Sequence, residues 1–486
     1  MKIYFDRLLL MKQEINYCPV AIITPNLKSI YSIILPAIQT LAIQKIAYAM
    51  ILVLMVLITT GCKEEIPDND CLSLISSPQI NTNALKSRVE ILAADEMLGR
   101  WIIGDGIGKA ADFIKSEMQN IALTPLGEDF LMPFFVRPSI PSMLNLDLNG
   151  KAVSIQDVIL APSGIAGNML SSSLSAPIVY IGQEHSFKEA YHNLFSIASA
   201  SGWSGNYLAL VHPIHKAEFI EAQNVWNDWF LYSENQFISG EWPLWFGGPN
   251  ILFILSEDEE VERMTCSFYF SEIPLNNVIG VIPGTTTPEE IVVISAHFDH
   301  LGIASHAEDS IYNGANNNAT GVAAMLTIAE YYAGKSLNER SLWFVGLNGR
   351  EKGRLGSKAL ASYIHNNKSN FKLVINIDKI GHPAGMEGDA YFIGYNQSHI
   401  GNVFSENLLC SDFTLIPDRT VSNALDLGMD HRSFRDIGIT AHSITTFNIL
   451  NYEPVNTVHD VIGNVDFEVL ERVTQTIILG MKSFIE

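Results

Sequence analysis

Ile291-Val292-Val293-Ile294-Ser295-Ala296-His297-Phe298-Asp299-His300-Leu301-Gly302 is the stretch of this 486-residue chain that decides its fold. It opens as a continuous apolar run, the pattern of a strand buried on both faces, and then breaks into histidine and aspartate. Two similar runs follow, Ser341 to Leu347 and Phe371 to Ile377. Helical segments separate them: Gly321 to Ala333, which is apolar on most sides, and Gly356 to Asn366. Strands alternating with helices of this length specify a layered α/β fold. Upstream, Leu85 to Leu123 has a helical pattern broken at Gly99-Arg100 and Gly104–Gly108. Near the end, Phe467, Leu470, Val473, Ile477, Ile478 and Met481 recur three or four apart, as one buried helical face requires. No internal repeat or low-complexity tract is present.

Open α/β sheets place their sites in the crevice beyond the carboxyl ends of the strands. The polar residues at those ends are His297 and Asp299, then Arg350-Glu351, then Asp378. A carboxylate two residues after a histidine suits a metal ligand whose ring it orients. Glu and Asp at neighbouring strand ends add oxygen ligands for the same ion. A lone histidine at a strand end is more often a hydrogen-bonded structural residue; convergence from three strands is what points to a metal site.

Composition narrows the rest. Lys and Arg number 30 against 52 Asp and Glu, a formal charge of −22. That balance argues against nucleic acid as a partner, because phosphate binding needs clustered cations. Hydrophobic residues at 48% and charged ones at 17% exclude intrinsic disorder. The length predicts two or three domains. Cys18, Cys62, Cys71, Cys266 and Cys410 are scattered and lack CxxC spacing, which argues against a disulfide scaffold and a thiolate zinc site.

Lys45 precedes thirteen apolar residues, Ile46 to Ile58, and then Thr59-Thr60-Gly61-Cys62. That run is short for a bilayer span and has the length of a signal-peptide core. Small residues directly before a cysteine resemble a bacterial lipobox, although Thr59 departs from that motif. In lipoproteins with the motif the peptide is cut before the cysteine, which is then acylated. Residues 1–61 are therefore read as a lipoprotein signal peptide, with the true start downstream of Met1, and residues 62–81 as an acylated tether. The competing reading is a single uncleaved anchor. Lys63 is not the usual inner-membrane retention residue, which favours the outer membrane or cell surface of a Gram-negative bacterium, or a periplasm-facing position, with the lipid on Cys62. Acylation there leaves Cys71, Cys266 and Cys410, enough for one disulfide at most.

Residues 136–254 differ from their surroundings, with short β-like runs, many Ser and Gly, and the cluster Trp226, Trp229, Trp242 and Trp245. They read as an inserted domain. The aromatic cluster is either a stacking surface for peptide or sugar or, the favoured reading, the core of a small domain.

Several stretches together resemble one family. Val292 to Gly302 looks like the first metal motif of the zinc aminopeptidases of the aminopeptidase S/Y type, metallopeptidase family twenty-eight. Asn313-Gly314-Ala315-Asn316-Asn317-Asn318-Ala319-Thr320-Gly321 is similar to that family's Gly-Ala-Asp-Asp-Asn-Ala-Ser-Gly motif. Glu351-Lys352-Gly353 with Leu355-Gly356-Ser357 matches its Glu-Glu-Lys-Gly-Leu-Leu-Gly-Ser, and Asn376-Ile377-Asp378-Lys379-Ile380-Gly381 its Asn-x-Asp-x-x-Gly. The resemblance implies a three-layer mixed sheet with helices on both faces, of the zinc exopeptidase or phosphorylase-hydrolase type, built from residues 82–135 and 255–486. It implies a protease-associated-type domain at 136–254, and hydrolysis of N-terminal peptide bonds at two zinc ions.

In the family those ions are held by a His, a bridging Asp, a Glu, an Asp and a second His, and a Glu directly before the ligand Glu is the general base. Carried over by position, His297, Glu351 and Asp378 are kept. The bridging position holds Asn317, the base position Arg350 and the second histidine position Asn456. A neutral amide has one carbonyl oxygen and an NH₂ that only donates, so Asn317 cannot bridge two dications. Arg350 stays protonated and cannot take a proton from bound water. Zero or one zinc ion is expected rather than two, with Arg350 paired to Glu351, Asp378 or both in place of metal. The implied protein is a surface lipoprotein with no confident catalytic residue that binds peptides or proteins. Alternatives are an active one-metal aminopeptidase at His297, Glu351 and Asp378, and a glycan- or peptide-binding module. For a one-metal enzyme, His459, His300 and His431 are the candidate bases, each more readily explained as a rim or packing residue.

Overall fold

The structure is a computed structural model that describes residues 76–486, except 139–142, 162–177, 201–205, 228–229, 232–236, 239–243, 246–249, 270–271, 304–309, 385–387, 419–425, 427 and 448–453. The expected signal peptide, Cys18, Cys62, Cys71 and most of the tether lie outside the described residues. Among the described residues no helix is long and apolar enough to cross a membrane. All of them fall in one compact unit, Leu74–Glu486.

Helix α1 (Thr82–Leu92) and helix α2 (Asp105–Asn120) flank a kinked turn in which Leu98, Gly99 and Arg100 all have positive φ. Gly99 is needed there, because a Cβ would meet the Tyr312 carbonyl at 2.8 Å. Strand β1 (Leu131–Pro138) enters the main sheet before the chain leaves it. The chain returns through β2 (Ile273–Ile282), β3 (Thr287–His297), helix α3 (Thr320–Tyr332), β4 (Arg340–Leu347), α4 (Leu355–Ile364) and β5 (Phe371–Ile377). It then forms β6 (Ala390–Ile393), α5 (Ile400–Leu408), β7 (Leu415–Pro417), α6 (His431–Asp436), β8 (Ala441–Thr445) and α7 (Phe467–Gly480).

The strand order is β7-β6-β8-β5-β3-β4-β2-β1, with the short strand Phe230–Leu231 at the β1 edge. The four central strands β8, β5, β3 and β4 run parallel; β2 and β1 pair antiparallel to their neighbours, and β6 runs antiparallel to β8 but parallel to β7. Alternation of side chains assigns the two faces. Val292, Ile294, Leu342, Phe344, Leu373 and Ile375 share a core with α1, α2, α3, α5 and α7. Val293, Trp343, Val345 and Val374 share the opposite core with α4 and α6. This is a mixed α/β sheet with helices on both faces, as the sequence implied. From β3 the chain goes first to β4 on one side and then to β5 on the other, so the strand order reverses at β3 and opens a crevice at its carboxyl end.

Residues 143–269 form a four-stranded sheet (Val158–Ala161, Asn250–Leu255, Asn206–Val211, Ile178–Ile181) and a three-stranded one (Met264–Tyr269, Met143–Leu148, Lys151–Ala152). Two apolar clusters of their own pack them, one around Phe187, Tyr191 and Phe253, the other around Leu146, Leu208 and Ile254. Pairing of Met264–Tyr269 with Met143–Leu148 carries this segment past residue 254, because its last strand closes onto its first. The side chains of Trp226, Trp229, Trp242 and Trp245 lie outside the described residues.

Candidate functional site

Parallel pairing sets His297, the last residue of β3, beside Leu347 at the end of β4, and Ser295 beside Asn376 on β5. The three strands therefore end at one level, and the residues that follow them converge. His297, Asp299 and Asp378 are fully buried. Asp299 accepts hydrogen bonds from the backbone N–H groups of Arg350 (2.9 Å) and Glu351 (3.0 Å), and one of its carboxylate oxygens lies 3.5 Å from His297 Nδ1. It pins the turn after β4 to the end of β3.

Charge dominates what that turn delivers. Arg350 Nη1 donates to Glu351 Oε1 at 2.7 Å, and its Nη2 lies 3.6 Å from Asp378 Oδ2. One guanidinium thus spans carboxylates from two strand ends. Lys379 Nζ donates to Asp378 Oδ1 at 2.6 Å, and the side chain is almost fully buried. His297 Nε2 faces the same oxygen at 3.6 Å and has no hydrogen-bond partner. Burial works against the charged form of Glu351, but Arg350 together with His297, His300 and Lys379 outweighs it and pulls the carboxyl down to about 2. Burial likewise disfavours a charged His297, yet Asp299 and Asp378 overcome it and raise the imidazole to about 9. Asp378 is held well below the usual carboxylate range, burial notwithstanding, chiefly by Lys379 and then Arg350.

The three consecutive asparagines have separate tasks. Asn316 Oδ1 accepts from Gly381 N at 2.8 Å. Asn318 mimics a strand edge, donating to Ile377 O and accepting from Lys379 N, both at 2.9 Å. These two fasten the start of α3 around Asp378. Asn317 faces the site: its Nδ2 donates to Glu351 Oε1 (2.9 Å) and to Asn456 Oδ1 (2.6 Å), while its Oδ1 is buried without a partner. Asp460, from the far end of the chain, accepts from the backbone N–H of Asn316 (2.7 Å) and Asn317 (2.9 Å) and fixes the loop. Arg100, buried beneath, donates to the carbonyls of Leu92, Phe298, Asn313 and Gly314.

Of the other described histidines, His300 lies within charge range of Glu351 and His297, and none donates to the site carboxylates. His431 is buried with Nδ1 2.7 Å from Ser443 Oγ and Nε2 3.2 Å from Asp426 Oδ1, so both ring nitrogens are taken. His300 is buried with neither ring nitrogen partnered, and burial pushes its pKa well below the ordinary value. His459 is exposed.

The sequence places His297, Asp299, Arg350, Glu351, Asp378, Asn317 and Asn456 together, and the structure gathers all seven. Lys379 was missed. Its signal was a reversal of charge, Asp378-Lys379, directly after a mostly apolar strand. A zinc ion needs lone pairs converging from several ligands. Here Glu351 Oε1 receives two donors, Asp378 Oδ1 is taken by an ammonium, and Asn317 directs its NH₂ inward. Among the described residues no group of three or more His, Cys, Asp or Glu side chains is placed to hold a metal ion. The residues present do not fit a zinc centre.

Residues 277–481 match the model of Peptidase family M28. Among curated proteins, a probable zinc metalloprotease of Pyricularia oryzae is 29% identical over 119 residues, covering 24% of this chain and 23% of that protein. One of Phaeosphaeria nodorum is 26% identical over 174 residues, covering 33% of each. The chain thus spans 23% to 33% of the length of these relatives. Among solved structures, a zinc aminopeptidase from Bacillus subtilis gives a TM-score of 0.49 at 16% identity, with 85% of this chain and 97% of that one covered. An aminopeptidase from Aneurinibacillus sp. strain AM-1 gives 0.48 at 15% identity, covering 84% and 94%.

Proposed function

We propose that this chain, which carries the domain of the zinc metallopeptidase family M28 over residues 277–481, is a non-hydrolytic homologue that holds peptides in the crevice at the end of β3 without cleaving them. The observation that supports this is the Arg350 guanidinium. It stands at the general-base position and spans Glu351 and Asp378, the carboxylates that zinc would need. A protonated guanidinium neither accepts a proton nor ligates a cation. Arg350 keeps 15% of its side-chain exposure and Asn456 is exposed, so the crevice is open to a ligand from solvent. The protein acts lipid-anchored through Cys62 at the outer membrane or cell surface, and its ligand is a peptide or protein.

The test pairs turnover with binding. Aminoacyl chromogenic substrates, with and without added zinc, are expected to be hydrolysed no faster than in a protein-free blank. A fluorescent peptide library is expected to contain members that bind saturably. Zinc-dependent turnover would overturn the proposal. A second reading, a one-metal aminopeptidase, draws on the buried and unpartnered His297 Nε2. It requires about one zinc per chain by elemental analysis and loss of turnover in His297→Gln.

A further inference from the structure

We infer that Lys379 and Arg350 are resident cations that replace the metal charge at this site, so that its carboxylates are charge-balanced without metal and the site rejects it. This rests on the non-hydrolytic reading above. Lys379 Nζ sits on Asp378 Oδ1, the oxygen that His297 Nε2 also faces. Arg350 donates to Glu351 Oε1 at 2.7 Å and places its Nη2 3.6 Å from Asp378 Oδ2, a charge contact to an oxygen that has no hydrogen-bond partner. The two cations between them reach both oxygens of one carboxylate and one of the other.

The backbone is bent to achieve this. Side chains of consecutive residues leaving a strand point to opposite sides. Lys379 reaches back onto its neighbour only because its φ is +56°, a left-handed conformation that a lysine adopts at a cost. Four hydrogen bonds hold it there: Lys379 N donates to Asn318 Oδ1 at 2.9 Å, and Lys379 O accepts from Thr446 N and Thr446 Oγ1, both at 3.0 Å, and from Thr445 Oγ1 at 3.3 Å. A carboxylate buried without a counter-charge is strongly unfavourable, so the two anions need either metal or these side chains.

The test is zinc titration of the full-length chain by calorimetry and thermal melting, comparing wild type with K379M, R350M and the double variant. In chelator the variants are expected to melt lower by roughly 5–10 °C. They should regain most of that on adding zinc, while wild type neither binds zinc nor shifts. K379R, which keeps the charge, should behave as wild type. Should the double variant not fold, K379M against K379R carries the same comparison. Unchanged melting of K379M, or zinc uptake by wild type as tight as by the variants, overturns the inference. Hydrolysis by wild type would instead defeat the underlying non-hydrolytic reading, so the two failures are separable.

Discussion

Arg350 and Glu351 are neighbours in the chain and ion-paired in space, with the pair seated on Asp299 through both backbone N–H groups. The sequence leads one to expect the pairing with Glu351, Asp378 or both; the turn after β4 gives it its geometry, since adjacent side chains meet only when a turn forces them to. Removing one member of such a pair leaves the other charge buried and unmatched. Arg350→Ala is therefore expected to destabilise the protein by ~3 kcal/mol, well above a surface substitution, and Arg350→Lys by less. Urea denaturation followed by fluorescence measures both; equal midpoints for wild type and Arg350→Ala would show that the pair contributes nothing.

At the scale of elements, the start of α3 is fastened to the end of β5 by the amide of Asn318, which donates to Ile377 O and accepts from Lys379 N. Gly321 has no side chain because Asn318 fills its space, and a Cβ there would also meet Ile377 O at 2.7 Å. Gly321→Ala is expected to separate the two elements and destabilise by about 1–3 kcal/mol, against the small gain that Ala normally brings to a helix. A more stable Gly321→Ala in the same denaturation assay would contradict this packing. The last parallel strand carries a pH-dependent element. His442 on β8 has Nδ1 3.1 Å from Ile393 O and Nε2 2.7 Å from Ser398 Oγ, and burial depresses its pKa to about 4. The unfolded chain binds that proton near pH 6.5, so the folded state loses stability as pH falls from about 6.5 towards 4. His442→Asn is expected to remove a slope amounting to ~3 kcal/mol over that window. Denaturation of both proteins at pH 7 and pH 4 measures it; equal pH dependence would refute the assignment.

Across the whole molecule, the helices on one face are tied by Arg88 of α1. It reaches Glu117 of α2 at 2.7 Å, Glu330 of α3 at 2.8 Å and Thr327 Oγ1 at 2.9 Å. Both glutamates keep some exposure, so Arg88→Met is expected to cost about 2 kcal/mol rather than the full penalty of a buried pair. Thermal melting of Arg88→Met is the check, and an unchanged midpoint would place the coupling of these helices in their apolar contacts alone. The same scale explains how Asp460 acts on the site. It lies more than a hundred residues from Asn316 and Asn317 in sequence, yet it orders their loop, a link carried only by the folded chain.

The apolar runs at β3, β4 and β5 and the polar residues that end each of them were legible because a doubly buried parallel strand has to be continuous in sequence, and because the site lies where such strands stop. Asn317, Arg350 and Asn456 were legible for the same reason, each standing at a fixed place in a motif. What the sequence determined was therefore which groups stand at the strand ends. Only the tertiary structure decided how the charges are balanced. Whether Lys379 meets Asp378 depends on a left-handed φ held by Asn318 and Thr446, 61 and 67 positions away. No local pattern encodes a backbone conformation imposed from that distance.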